Sequence, residues 1–171
     1  MVQKVDNVLP AIGVAGQKVA TDSARYLGYN PLSDGTVVVG AFAFAKTAGG
    51  SQSAPFAIVS GTGSAEDKPL GFVERVMDVA LENVLSQGTN ILPEGAVATV
   101  AVQGQFYINV PTGLSSIKSG MGVFVNPTTG AINLASTSAG ESEVDTGFKV
   151  VIPNGGASAN AGDVVIIEKF N

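Results

Sequence analysis

The strongest constraint on this chain is its punctuation. Short runs rich in Val, Ile and Phe are interrupted by turn-forming residues at Gly49-Gly50, Gly61-Thr62-Gly63, Asn126-Pro127-Thr128-Thr129-Gly130 and Asn154-Gly155-Gly156. β-Branched and aromatic side chains suit a pleated, half-buried surface, and Gly, Pro and Asn supply the turns between such surfaces. The runs predict strands over residues 36–46, 56–59, 71–77, 96–103, 105–110, 121–125, 131–134, 148–152 and 164–170. In the first, Val38, Phe42 and Phe44 alternate with Val37, Val39, Ala41 and Ala43, the pattern of a strand covered on both faces. Val123-Phe124-Val125 and Ala131-Ile132-Asn133 flank a five-residue connection with Pro early and Gly late, which predicts a hairpin. Residues 76–87 carry Met77, Leu81, Val84 and Leu85 at near-helical spacing, so one short helix or a further strand fits there. The expected fold class is all-β: a single-domain sandwich or barrel, jelly-roll topology included, with at most one short helix.

A chain of 171 residues can bury one sizeable core without disulfides or metals. With 45% apolar and only 13% charged residues it is too hydrophobic to stay unfolded, and no run approaches the roughly 20 apolar residues of a membrane helix. A folded, soluble domain with no membrane partner is expected. Residues 1–6 show no basic start leading into an apolar run, so no secretory signal is visible and synthesis in a cytoplasm is expected. The chain has no Cys and no His. That inventory removes disulfides, thiolate or imidazole metal sites, Cys nucleophiles and Ser-His-Asp triads. Nine Lys and Arg against fourteen Asp and Glu give a net charge of −5, which argues against a surface that neutralises phosphates, so no nucleic-acid partner is expected.

Residues 1–35 differ from the β domain expected over residues 36–171. Val2, Val5, Val8, Leu9, Pro10, Ile12 and Val14 are scattered among polar residues without period 2 or 3.6. The stretch reads as an extended N-terminal arm, either free to lie on a partner or wrapped on its own domain. Gly61-Thr62-Gly63-Ser64 and Gly120-Met121-Gly122 are fragments of phosphate-binding loops that neither motif completes. Glu141, Glu143 and Asp145, spaced by two, could aim at one hard cation, but they lack the rest of a calcium loop and read as a solvated connection over residues 135–146. Glu66 and Asp67 sit beside Lys68 in another polar connection. No catalytic, cofactor or metal site and no small-molecule substrate is expected; a hydrolase working through carboxylates is the enzymatic alternative. Glu74 and Arg75 would face opposite sides of a strand, and Arg75, flanked by Val73 and Met77, suits an interface.

The order of segments resembles the phage structural cement (capsid decoration) proteins. The resemblance rests on Pro10-Ala11-Ile12-Gly13-Val14-Ala15-Gly16-Gln17, Val38-Val39-Gly40-Ala41-Phe42, Pro69-Leu70-Gly71-Phe72-Val73-Glu74-Arg75 and Ile91-Leu92-Pro93-Glu94-Gly95. It continues through Gly104-Gln105-Phe106-Tyr107-Ile108, Gly122-Val123-Phe124-Val125, Thr129-Gly130-Ala131-Ile132, Thr146-Gly147-Phe148 and Gly162-Asp163-Val164-Val165-Ile166-Ile167. One departure is the absence of Trp, which family members often place near the position of Tyr107. The resemblance implies a virion protein on the capsid exterior that bridges major capsid protein subunits, with a homo-oligomer, dimer or trimer, as its unit. Partner-binding residues are then expected at Val8, Leu9, Pro10, Ile12 and Val14 of the arm and at Phe72 and Arg75. A tail, fibre or adhesin module is the alternative that shares this composition.

Overall fold

The computed structural model describes residues 13–19, 23–46, 57–76, 90–136, 140–153 and 156–170. They form ten strands: β1 (Arg25–Tyr26), β2 (Leu32–Ser33), β3 (Phe42–Ala45), β4 (Ile58–Ser60), β5 (Gly71–Val73), β6 (Val100–Asn109), β7 (Gly122–Val125), β8 (Ile132–Ala135), β9 (Val144–Val151) and β10 (Val164–Lys169). One sheet runs in the order β2-β4-β3-β5-β6-β10-β9-β7-β8, with β1 paired to β6. Among the described residues there is no α-helix, and the fold is all-β, in line with the sequence pattern. The expected helix or strand at 76–87 lies, past Val76, outside the described residues.

Two departures from the expected strands have local causes. Residues 96–103 and 105–110 were expected as separate strands, yet β6 runs unbroken through Gly104. Gly104 has φ +130°, and a Cβ there would stand 2.9 Å from that of Ala24, so glycine lets the strand continue while a neighbouring segment packs on its backbone. The long run expected over 36–46 is cut to four residues, because Gly40 takes φ +86° and Ala41 N–H donates to Val38 C=O in a tight turn. Val38 then sits exposed outside the strand, bridged to Ile91.

The alternation in β3 still divides the interior into two cores. Phe42 and Phe44 enter the larger, with Phe72, Phe106, Ile108, Phe148, Val150, Val165 and Ile167. Ala43 enters the smaller, with Val37, Val39, Val59, Val73, Leu92, Ala98 and Val100. Because β3, β5 and β6 contribute to both, they form the wall between the cores and tie them into one body. The aromatic centre is Phe72, whose ring lies 5.5 Å from Phe42, 5.0 Å from Phe106 and 6.4 Å from Phe148.

The hairpin forms where expected, β7 pairing with β8 from Gly122↔Ala135 to Val125↔Ile132. The Asn126 side-chain oxygen accepts from the N–H groups of Thr128 and Thr129, the local bond that makes Asn a turn initiator. Between β7 and β9 the register slips: Phe124 faces Asp145 while Gly122 faces Lys149. Across that bulge the Thr146 hydroxyl donates to Val123 C=O at 2.7 Å, and Lys169 Nζ donates to Thr146 C=O at 2.9 Å.

Asp34 ties the loop after β2 to β3 and β4. Its Oδ1 accepts from the Thr36 hydroxyl (2.6 Å) and N–H (3.0 Å), and its Oδ2 pairs with Lys46 Nζ at 3.1 Å. The Thr36 oxygen in turn accepts from Gly61 N–H and lies 3.0 Å from the Ser60 hydroxyl. Burial alone would raise the Asp34 carboxyl, but the hydrogen bonds from Thr36, Lys46 and Ser60 outweigh it and hold the carboxyl below its ordinary value. A carboxylate lowered in the folded state contributes stability that is present above its unfolded value and lost as pH falls through the folded one. Urea midpoints of the protein should therefore decline below about pH 4. In Asp34→Asn that decline should shrink, with stability at pH 7 lower by about 1–3 kcal/mol. A pH profile identical in both proteins would count against the network.

Candidate functional site

The described part of the N-terminal stretch lies against β6. Gly16 N–H donates to Tyr107 C=O, Tyr107 N–H to Gln17 C=O and Val19 N–H to Gln105 C=O, with Lys18 bridged to Phe106. The backbone of Gly13 crosses the Tyr107 ring so closely that a side chain at Gly13 would enter it. Gly16 C=O accepts from Arg75 N–H, while Glu74 N–H donates to Thr99 C=O. Residues 16 and 74–75 thus link Thr99 and Tyr107, two places near opposite ends of one strand.

The contact between Gly16 and Gly40 makes this closure possible. Both take φ +86°, and a Cβ on either would stand 3.1–3.2 Å from the other's backbone nitrogen. Two side-chain-free residues meet here because nothing larger fits between the main chains.

Of the residues expected to bind a partner, Val8, Leu9, Pro10 and Ile12 lie outside the described residues. Val14 is 51% exposed. Arg75 is half-buried: one terminal nitrogen donates to Asn90 Oδ1 at 2.7 Å, and its buried Nε has no partner among the described residues. Arg75 lines a small cleft with Val39, Glu74, Leu92, Val97 and Thr99. Phe72 requires correction as a surface residue, since it is 0% exposed and sits at the centre of the aromatic cluster. Its neighbours on three strands enclose it completely, so no partner can touch it in the folded chain.

Glu74 stands beside Tyr26. Burial first, then the hydrogen bond and charge of Glu74, push the Tyr26 hydroxyl well above its ordinary value, so it stays protonated. The three spaced carboxylates do not converge. Glu143 accepts from Asn133 Nδ2 and Gly140 N–H, and Asp145 accepts from Gly147 N–H. Among the described residues no group of three carboxylates is placed to hold a metal ion. Asp67 accepts from Ser64 N–H within its own turn.

What the sequence pattern missed is a set of exposed apolar side chains. Tyr26, Tyr29, Val38 and Val97 are exposed on segments that carry or adjoin Leu27, Val37, Val39, Ala96 and Ala98 of the smaller core, and Phe170 is exposed just past β10. Leu27 N–H donates to Val100 C=O, Ala98 N–H to Pro31 C=O and Leu92 N–H to Val37 C=O, which stitches these segments together. No local signal marks these residues, because their exposure follows from pairings distant in sequence.

Comparison with known proteins places this architecture. The family model for the XM1 gp53 minor capsid protein matches residues 2–169. The chain belongs to that family. It is therefore a capsid-associated structural protein of a bacteriophage, and its place is the virion. Among solved structures, a chain from the capsid of Myoviridae phage XM1 superposes with a TM-score of 0.61 at 13% identity, covering 95% of this chain and 94% of that one. At that identity the likeness speaks for the fold, which the two share over nearly their whole lengths. No curated protein matches the chain in sequence.

Proposed function

We propose that this minor capsid protein acts as a cement: it docks on the outer surface of the assembled shell, bridges neighbouring major capsid subunits and catalyses no reaction. The observation that carries the reading is the exposure of Tyr26, Tyr29, Val38 and Val97 on segments that adjoin the smaller core. Single exposed apolar residues are ordinary on a protein surface, but several on adjoining segments are the raw material of an interface. Aromatic side chains such as Tyr26 and Tyr29 are enriched at such contacts. Val8, Leu9, Pro10 and Ile12 precede Val14 in the chain and extend the same apolar supply. Arg75 adds a guanidinium with an unused donor beside Val97. The working unit is a homo-oligomer whose copies each touch more than one subunit of the shell.

Mixing the purified protein with expanded, DNA-free particles of its own phage tests the reading. Saturable decoration at a fixed stoichiometry, with particles that then resist heat or shear better, is the expected result. Failure to bind particles while binding tails or fibres would move the protein to another part of the virion.

A further inference from the structure

We propose that β8 receives an extended strand from a neighbouring subunit of the shell, which joins the sheet through main-chain hydrogen bonds. The inference rests on the cement reading and adds to it a site of contact and the form of the partner. β8 ends the sheet, pairing with β7 alone among the described strands. The opposite terminal strand is not open in this way: beyond β2, Ser33 N–H donates to Ala96 C=O and Ala98 N–H to Pro31 C=O.

The direction of the β8 backbone follows from two separate bonds. Asn126 N–H donates to Ala131 C=O, so the hydrogen-bonded pairs of the hairpin continue at Phe124↔Asn133 and Gly122↔Ala135. On the other side of β7, Val123 C=O accepts from Thr146 of β9, as it must if odd-numbered residues of β7 face β9. Both observations leave the N–H and C=O groups of Ile132 and Leu134 pointing away from the sheet. Neither finds a partner among the described residues. Leu134 is buried and Ile132 packs on the larger core, so the edge is held rigid by its own side chains.

Natural sheets guard such edges with lysine, proline, bulges or inward charges. From Thr128 to Gly140 the sequence has no Lys, Arg, Asp, Glu or Pro, and β7 and β8 pair without a bulge. An alternating row of donors and acceptors is completed by one kind of ligand, another main chain in extended conformation. A second copy pairing β8 to β8 would engage four residues a side, far short of the roughly 800 Å² per partner that a stable dimer buries. An extended segment of a shell subunit does not face that limit, since the rest of its contact comes from the lattice to which it belongs.

Amide hydrogen exchange on the intact protein, free and bound to expanded particles, tests this directly. Exchange of the peptide covering residues 131–136 should slow at least tenfold on particles, with the β7 amides little changed. Ile132→Pro removes one outward donor and places a ring on the edge. It should weaken particle binding at least tenfold while a thermal melt confirms that the variant is folded. Unchanged exchange in wild type that does decorate particles would overturn the strand addition and leave the cement reading standing, whereas wild type that fails to bind overturns both. A dimer in sedimentation that Ile132→Pro abolishes would overturn the proposed occupant in favour of a second copy.

Discussion

Replacing Phe72 with alanine is expected to lower the stability of the folded protein by about 3–5 kcal/mol. The ring is fully buried and stacks edge-on or tilted against Phe42, Phe106 and Phe148, which come from three other strands. Those strands are fixed by ladder bonds, with Phe42 and Ala101 as the direct partners of Phe72, so the walls have little freedom to close over the cavity. A domain of this size holds on the order of 5–15 kcal/mol in total, and the substitution removes a large share of it. Urea unfolding would show a fall in midpoint with the slope unchanged. A partner-facing Phe72 makes the opposite forecast: a stability change within about 0.5 kcal/mol, the usual result at an exposed position, with a loss confined to particle binding. The structure favours the first outcome because the side chain has no exposed surface to offer.

The same residue shows where sequence reasoning reaches its limit. Pro69-Leu70-Gly71-Phe72-Val73 reads as an apolar strand whichever way it faces, because a core strand and a docking strand have the same composition. Which face is covered depends on β3 and β6, contributed by segments about thirty residues away on either side. Features fixed by neighbours in sequence were legible. The Asn126 turn and its two flanking strands form as expected because donor, acceptor and both strands lie within one short stretch. Glycine was legible only as an interruption. At Gly40 it turns the chain before β3 can begin, while at Gly104 it lets a strand continue under Ala24, and only the neighbour distinguishes the two cases. The open edge of β8 and the exposed group of Val38, Val97, Tyr26 and Tyr29 were not legible, since being last in a sheet or uncovered is a property of the whole topology.

Deleting residues 1–12 should leave the fold intact and sharply reduce occupancy on particles, if the N-terminal stretch is part of the docking surface. The truncation point matters. Every described contact of this stretch begins at Gly13 or later: the Tyr107 ring under Gly13, the bonds of Gly16, Gln17 and Val19 to β6, and the acceptance by Gly16 from Arg75. A cut after residue 12 preserves them all, whereas a cut after residue 19 removes a ladder along β6 and should lower the melting temperature as well. Val8, Leu9, Pro10 and Ile12 would bury on the shell at roughly 1.5 kcal/mol each, about 6 kcal/mol gross. If only the five residues from Val8 to Ile12 are fixed, at about 1 kcal/mol of backbone entropy each, the cost of about 5 kcal/mol offsets most of that. A surplus of only about 1.4 kcal/mol is still tenfold in affinity, so protein lacking residues 1–12 should need at least tenfold higher concentration to reach half occupancy. Calorimetry of the free proteins and densitometry of purified particles provide the two measurements. An unchanged melt with weakened binding supports a docking arm. A lowered melt with the cut at residue 12 means that these residues stabilise their own domain, and full occupancy with an unchanged melt returns the contact to the exposed side chains of the described residues, Val14, Tyr29 and Val97 among them.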